Sequence, residues 1–250
     1  MGPDFSYQKS NSVERFYRAS SAKDLIKSQV KVGESDLWIL SDREIRDQVA
    51  KLLKIYRRQL KEYIYNHPDF ATTLKPFPSD PEAPELVRKM IEVSGKAGVG
   101  PMAAVAGTIA GFIGKDISST CSEVIIENGG DIYLRSAVER VISIYAGKSE
   151  FSKKVGVLLP ASPDGIGICT SAGTVGPSLS FGSADAAVII SPDVALADSI
   201  ATATANRILK TSDLQKAIDF ASSISKITGI IVIKDDKMAA WGEVNLVPIE

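Results

Sequence analysis

The sequence predicts an α+β fold, a mixed α/β arrangement in which antiparallel sheets pack against helices. Two observations predict it. Consecutive strand patterns outnumber strand–helix alternations, and the chain of 250 residues, 44% of them hydrophobic, can bury a sizeable core. We expect a single domain over residues 1–250. The N-terminal strands and helix, residues 1–66, are too small to bury a core alone and should pack on residues 84–250.

The first elements predicted along the chain are a meander and a long helix. Apolar residues alternate with polar ones at 13–19 and 29–40, which indicates short antiparallel strands. Residues 41–44, Ser-Asp-Arg-Glu, match a capping box. We therefore expect an amphipathic helix that opens at this box and continues to about Tyr65.

An irregular connection and two more helices follow. Five of the twelve prolines lie in residues 66–84, which indicates a segment without regular structure. Helices are predicted at about 84–94 and 101–114. Gly107 and Gly111 are four residues apart on one face of the second helix, so neighbouring elements can approach that face closely.

The second half of the chain predicts strands, two helices and a closing hairpin. The helices cover residues 193–210 and about 212–225, and the hairpin covers residues 228–244. Ser191 is the predicted N-cap of the first helix, with Pro192 at the first helical position. The other predicted strands are residues 122–127, 131–135, 138–146, 155–159, 165–169 and 185–190.

Charge and cysteine content exclude several classes of function. The 29 basic and 30 acidic side chains give a net charge of −1, so the basic excess expected of a nucleic-acid-binding protein is missing. Cys121 and Cys169 are too few for a disulfide framework, and their apolar neighbours predict buried thiols. We expect a cytoplasmic protein that does not bind nucleic acid.

The longest uncharged stretch, residues 97–114, has the length of a marginal membrane span. It consists mostly of glycine and alanine and contains Pro101, so a buried helix is the better interpretation. Residues 1–36 are polar and contain no apolar segment that resembles a signal peptide. We expect no membrane association.

The single histidine limits the catalytic chemistry that is available. His67 precedes Pro68 at the predicted end of the long helix. A Ser-His-Asp, Cys-His or histidine-ligated zinc site would have to use this residue. Its position favours an interaction with the negative end of the helix dipole instead.

Glycine stands next to small polar or acidic residues in several connections. Residues 98–102 precede a helix whose free N–H groups favour an anion. Residues 128–131, Asn-Gly-Gly-Asp, are a strong hairpin-turn signal. Residues 169–178 carry hydroxyl groups and glycines that can bind phosphate or ribose oxygens. The segment does not match the GxxxxGK[ST] phosphate loop, and the chain contains no GxGxxG.

A fourth segment places oxygen atoms on one helix face. Asp198 and Thr202 are four residues apart, and Asn206 is one turn further. A carboxylate and a hydroxyl are hard ligands suited to Mg²⁺ or Ca²⁺. A solvated helix face explains the same residues, and the spacing by itself leaves both interpretations open.

In order, the last three segments resemble the motif series of the ApbE family, flavin transferases that bind FAD and a divalent cation. The family's Asn-x-Gly-Gly-Asp turn is similar to residues 128–131, which are one residue shorter. Its Thr-Ser-Gly loop resembles residues 170–173, and its Ala-Asp-x-x-x-Thr-Ala helix is matched by residues 197–203. The order and approximate spacing agree over residues 95–245.

The resemblance implies an ApbE-like mixed α/β fold and two bound groups. Asp198 and Thr202 would help to hold Mg²⁺, and the two loops would approach FAD or a related nucleotide. The implied nucleotide contacts are Asn128, Gly130, Asp131, Thr170, Ser171 and Gly173, with Asp185 as a weaker candidate for the same site.

Two departures from the family pattern concern residues that could take part in catalysis. The family's Gly-Gly-Ile-Ala-Lys-Gly segment corresponds to residues 100–107, which lack the lysine. Its His-Ile-Ile-Asp-Pro segment corresponds to residues 180–192, which contain no histidine. The sequence therefore resembles a divergent, ApbE-related family.

The functional hypothesis is an ApbE-like protein that binds a flavin or related dinucleotide with a divalent cation. It would act as a Mg²⁺-dependent transferase or pyrophosphatase. The alternatives are a non-catalytic cofactor-binding protein, or a different small-molecule enzyme on the same scaffold. An oligomer is compatible with the sequence.

Overall fold

A computed structural model of the protein describes residues 24–173 and 182–249. The predicted strand at 13–19 lies outside the described residues, as does the end of the loop at 169–178. The strands are β1 (Ile26–Val32), β2 (Ser35–Ser41), β3 (Val124–Asn128), β4 (Asp131–Ser136), β5 (Arg140–Ser143), β6 (Val155–Leu159), β7 (Ser162–Ser171), β8 (Ala186–Ser191), β9 (Gly229–Lys234), β10 (Lys237–Gly242) and β11 (Leu246–Pro248). The helices are α1 (Arg46–Asn66), α2 (Asp69–Thr72), α3 (Glu85–Ala97), α4 (Val105–Ile117), α5 (Val194–Ala205) and α6 (Leu214–Ser222).

The strands form two sheets. The larger has eight strands in the order β1-β2-β3-β4-β7-β8-β9-β10, and the smaller has three in the order β11-β6-β5. All strand pairs between described residues are antiparallel. The chain leaves the large sheet after β4 to build β5 and β6, so that β4 pairs with β7. The predicted α+β fold is confirmed.

The large sheet separates two apolar cores. Along β3, Ile126 packs with the helices, whereas Ile125 packs with Val157 of the small sheet. Successive side chains of a strand point to opposite faces, which explains how one strand contributes to both cores. The helices therefore cover one face of the large sheet, and the three-stranded sheet covers the other.

Helices α4 and α5 lie against each other at glycine positions. A Cβ placed on Gly107 would be 2.6 Å from the Asp198 Cβ, and one on Gly111 would be 3.2 Å from the Val194 Cβ. The two contacts run in opposite chain directions, so the helices are antiparallel. The predicted close approach at Gly107 and Gly111 is confirmed.

Two predicted helix starts are wrong. Ser41 is the last residue of β2, its hydroxyl donates to the Arg43 carbonyl, and α1 begins only at Arg46. Ser191 is likewise the last residue of β8, and Asp193 is the N-cap of α5, accepting from the Leu196 N–H at 3.2 Å. In both cases the strand ladder continues through the serine, which holds its backbone extended.

The uncharged stretch at 97–114 is not one helix. Gly98 ends α3 in the left-handed conformation, with φ +71°, and Pro101–Ala104 forms a 3-10 turn before α4. Within the described ranges, no single helix is long and apolar enough to cross a membrane. The pair Glu85–Ala97 and Pro101–Ile117 reaches that length and composition only when taken together, and it is bent by 104°.

Candidate functional site

The β3–β4 turn brings two predicted site residues together. Asn128 pairs with Asp131, and the two residues between them, Gly129 and Gly130, have φ values of +72° and +110°. This is the two-residue hairpin that the Asn-Gly signal predicts. Asn128 and Asp131 both point to the helix face, since they alternate with Ile126 and Tyr133 of the helix-side core.

The turn is tied to α4 and lies close to the end of β7. The Asn128 side-chain amide donates to the Ala106 carbonyl at 3.1 Å. A Cβ on Gly130 would lie 3.5 Å from the Thr170 carbonyl oxygen. The structure thus brings Asn128, Gly130 and Thr170 close together, and their contact with a nucleotide stays a prediction.

Asp198 is directed at the first turn of α4. Its Oδ2 accepts from the Gly107 N–H at 2.7 Å, and the side chain is buried. The start of a helix carries free N–H groups and a partial positive charge, so it stabilises a carboxylate. The helix start that was expected near residues 98–102 to favour an anion therefore lies slightly further along the chain. It is occupied by the carboxylate of Asp198.

Asp131 and Asp198 form a buried acidic pair. Burial raises the pKa of Asp198 to about 7, although the N–H groups of Gly107 and Ala106 oppose the shift. Burial also raises the pKa of Asp131 well above its usual range, and the negative charge of Asp198 adds to the effect. Like charges in a poorly solvated site repel, so the pair favours either a shared proton or a bound cation.

Thr202 lies on the same face of α5 as Asp198. Because Val194 contacts Gly111 and Asp198 contacts Gly107, the next turn of α5 extends towards the 3-10 turn at Pro101–Ala104. Thr202 is half-buried, whereas Asp198 is buried. The interpretation of this face as simply solvated is therefore wrong for Asp198.

The remaining loop residues lie at the end of β7. Thr170 and Ser171 are its last two residues, and both are half-buried. The Gly173 N–H donates to the Ala184 carbonyl at 2.9 Å, and a Cβ on Gly173 would be 2.0 Å from the Gly182 carbonyl oxygen. Only glycine allows this approach, so Gly173 lets the end of β7 lie against Gly182.

Asp185 belongs to a different part of the surface. It precedes β8, and its Oδ2 accepts from the Asp235 N–H at 2.6 Å, in the turn between β9 and β10. It lines an open cavity of about 350 Å³ together with Lys148, Glu150 and Asp236. The structure does not bring Asp185 together with Asp131 and Asp198, and its nucleotide contact stays a prediction.

Two site residues were missed by the sequence analysis. Glu127 is buried, and its Oε1 accepts from the Gly130 N–H at 2.9 Å. The Cys169 thiol lies beside Asp131, its cross-strand partner, and donates to the Val194 carbonyl at 3.5 Å. Both residues occur in apolar strand patterns, so only the position of Glu127 next to the Asn-Gly turn could have drawn attention to it.

His67 keeps the structural role that the sequence predicts. It follows the last residue of α1, and its backbone N–H donates to the carbonyls of Tyr63 and Ile64. Its ring stacks on Tyr63 with 4.2 Å between centroids. The described contacts of Asp131 and Asp198 do not include this histidine.

The donor set at the acidic pair is small. Among the described residues, no group of three or more His, Cys, Asp and Glu side chains is arranged to hold a metal ion. A cation at Asp198 would therefore need hydroxyl, carbonyl, water or ligand oxygens as well. An open cavity of about 410 Å³ lies elsewhere, lined in part by Glu139 and Glu243.

Comparisons with known proteins agree with the fold. A family model described as AbpE bacteria matches residues 18–238. A UPF0280 protein of Methanocella arvoryzae is 39% identical over 216 residues, which cover 86% of this chain and 88% of the relative.

Two solved structures have the same fold at low sequence identity. The flavinyl transferase ApbE of Pseudomonas stutzeri, in its apo form, matches with a TM-score of 0.58 and 11% identity, over 87% of this chain and 93% of that one. The flavin transferase ApbE of Vibrio cholerae matches with a TM-score of 0.60 and 12% identity, over 87% and 96%. The resemblance to ApbE that the motif series indicates is confirmed.

Proposed function

This chain belongs to the family described as AbpE bacteria, and from that premise we propose that it binds a flavin nucleotide together with a divalent cation. The binding site is the space between the β3–β4 turn, the end of β7 and the adjoining turns of α4 and α5. The proposed ligand class follows the two neighbours of the same fold, which are flavin transferases. A cytoplasmic location is part of the proposal, since both cysteines are buried free thiols.

The buried pair of Asp131 and Asp198 is the observation that carries the proposal. Besides burial, the groups that most affect the pKa of Asp131 are Asp198, Glu127, the Cys169 thiol and the Thr170 backbone. None of these is a cation. Two carboxylates buried near each other without a basic partner in that set are neutralised either by a proton or by a positive ligand, and the proposal assigns this role to a cation.

The residues present suit Mg²⁺. This ion is usually held by one or two carboxylates together with waters and substrate phosphate oxygens, and not by a complete protein cage. Asp198 would supply the carboxylate and Thr202 the hydroxyl. Phosphate and water oxygens would complete the coordination that these two residues begin, and the cation would reduce the negative charge of a pyrophosphate.

The loops would contact the nucleotide around this cation. Gly130 has no side chain, so a phosphate or ribose can approach the tight turn closely. Ser171, which alternates with Cys169 of the helix-side core, would contribute its hydroxyl, and Thr170 would contribute backbone groups from the end of β7. Asn128 and Asp131 would hold the turn against α4 and orient polar groups of the ligand.

Binding without turnover is the second candidate function. The only histidine, His67, stacks on Tyr63 at the end of α1 and contacts neither acidic residue of the pair in the described structure. Proton transfer would then depend on a carboxylate or a water molecule. The acidic pair supports ligand binding more directly than it supports either transfer or pyrophosphate hydrolysis.

Thermal shift with FAD, FMN and ATP, each with and without Mg²⁺, tests the binding proposal. We expect FAD or FMN to raise the melting temperature, and Mg²⁺ to increase that shift. In Asp198→Asn, which keeps an oxygen acceptor for Gly107, the Mg²⁺ increment should disappear. Asp193→Asn is the matched control, because this N-cap of the same helix should leave the increment unchanged.

Two results would count against parts of the proposal. No stabilisation by any of the three nucleotides would remove the nucleotide proposal, and an intact Mg²⁺ increment in Asp198→Asn would remove that residue from the cation site. Where FAD does bind, release of AMP over time indicates an enzyme, and its absence indicates a binding protein.

A further inference from the structure

The carboxylate of Glu127 supports the β3–β4 turn from the sheet face opposite the site. We propose that Glu127 is a positioning residue, which fixes the Gly129–Gly130 turn in the shape that contacts the nucleotide. This inference rests on the proposed function and extends it to a residue that does not itself touch the ligand.

Strand geometry places Glu127 on the sheet face opposite to the two residues that flank the turn. Asn128 and Asp131 point towards the helices, whereas Glu127 alternates with Ile125, which belongs to the core on the small-sheet side. Glu127 is nevertheless directed along the strand to the turn, where its Oε1 accepts from the Gly130 N–H at 2.9 Å. Its contact with the turn thus comes from outside the binding face.

The turn needs such a contact because both of its residues are glycine. Gly129 and Gly130 have positive φ, and glycine reaches many other conformations at little cost. A free turn would sample them and lose its orientation towards the ligand. The Glu127 contact restrains Gly130 from one face, while the bond from Asn128 to Ala106 restrains the strand end from the other.

Burial fixes the position of the Glu127 side chain, because it is only 4% exposed and is surrounded by packed neighbours. The restrained turn also keeps its spacing from β7, since Gly130 lies close to the Thr170 carbonyl. Glu127 therefore sets the geometry of two loops that are proposed to hold the nucleotide.

Substitution of Glu127 separates positioning from simple stabilisation. Glu127→Met keeps the length of the side chain and removes the acceptor, whereas Glu127→Gln keeps an acceptor oxygen. Glu123 is the matched control. It lies just before β3 at the opposite end and also accepts a backbone N–H, from Ala137 at 2.6 Å. We expect Glu123→Met to lower thermal stability without changing affinity for FAD.

Two measurements carry the test: the Kd for FAD with Mg²⁺, and hydrogen exchange of the Gly130 amide without ligand. Glu127→Met should weaken FAD binding about tenfold and accelerate Gly130 exchange by a similar factor. Glu127→Gln should stay within about threefold of wild type in both. A purely structural role would lower stability and leave the Kd for FAD unchanged, as we expect for Glu123→Met. A positioning role instead changes the Kd in Glu127→Met, and glutamine restores it.

The outcomes for Glu127 and for the proposed function are distinct. A wild-type protein that binds no FAD contradicts the proposed function, and faster Gly130 exchange in Glu127→Met would still support the restraint on the turn. Unchanged Gly130 exchange, or unchanged affinity in a folded Glu127→Met protein, overturns the inference. If Glu127→Met does not fold, Glu127→Gln decides: wild-type affinity supports the inference and lost affinity overturns it.

Discussion

The Asp198 carboxylate is both the acceptor at the start of α4 and one half of an acidic pair. The Gly107 N–H stabilises its charged form, whereas burial favours its neutral form. Burial has the larger effect, because the pKa of Asp198 rises to about 7. The ligand-free protein therefore holds Asp198 close to its titration point at neutral pH.

Asp198→Asn should increase the stability of the ligand-free protein at high pH. The ordinary pKa is 3.8 and the folded value about 7, so between them the folded state binds more protons than the unfolded state. The stability that Asp198 contributes is therefore fully present below about pH 4 and is lost as pH rises through about 7. Asparagine cannot lose a proton, so we expect a gain on the order of 4 kcal/mol near pH 8.

Denaturant unfolding at several pH values checks this prediction, with Asp193→Asn as the control. The gain should vanish near pH 4 and should be absent in the control at every pH. A wild-type protein that is as stable as Asp198→Asn at about pH 8 would contradict the raised pKa. Added Mg²⁺ should reverse the order, since the ion binds the charged carboxylate.

At the scale of elements, the contact between α4 and α5 positions Asp198. The two helices approach at Gly107 and Gly111, where the absence of a side chain lets Asp198 and Val194 lie against the α4 backbone. Without that approach the Asp198 carboxylate would not reach the Gly107 N–H. The glycines therefore determine the site geometry as well as the packing.

Gly107→Ala should destabilise the protein by about 1–3 kcal/mol, since overpacking a rigid contact forces backbone shifts. The added Cβ would lie 2.6 Å from the Asp198 Cβ and 2.9 Å from the Val194 carbonyl oxygen. Gly95→Ala is the control: it lies in α3 with nothing within 4 Å, and it should be neutral or stabilising by about 0.5–1 kcal/mol. Chemical denaturation measures both variants, and equal effects would refute the close contact.

At the scale of the whole molecule, one sheet contains both the strands that build the site and the strands that lie away from it. The eight-stranded sheet runs from β1 to β10, with helices on one face and the small sheet on the other. Acidic site residues on β4 and α5 are thus far along the chain from each other but lie on the same face. We propose that the entire chain is one cooperative domain.

The two tryptophans can test this proposal. Trp38 lies in β2 and Trp241 in β10, towards opposite sides of the large sheet. In Trp241→Phe the fluorescence reports on β2, and in Trp38→Phe it reports on β10. We expect coincident unfolding midpoints that also match the far-UV circular dichroism. Two separated transitions would instead divide the chain into independent units.

Much of the fold and part of the candidate site could be predicted from the chain alone. Strand and helix types follow from local periodicity, and the Asn-Gly-Gly-Asp turn follows from the φ values that only glycine adopts readily. The spacing of Asp198 and Thr202 on one helix face is likewise a local property. Motif order adds the ApbE resemblance, which the family and the fold confirm.

The rest was decided by tertiary structure, because it depends on which strands pair and which helices touch. Because strand pairing continues through Ser41 and Ser191, both helices begin later in the chain than the sequence predicts. Pairing of β4 with β7 places Asp131 beside Cys169. The contact between α4 and α5 buries the Asp198 carboxylate, which the sequence alone could have placed on a solvated helix face. Burial and nearby charge set the pKa values of this pair, and neither quantity can be calculated from residue spacing.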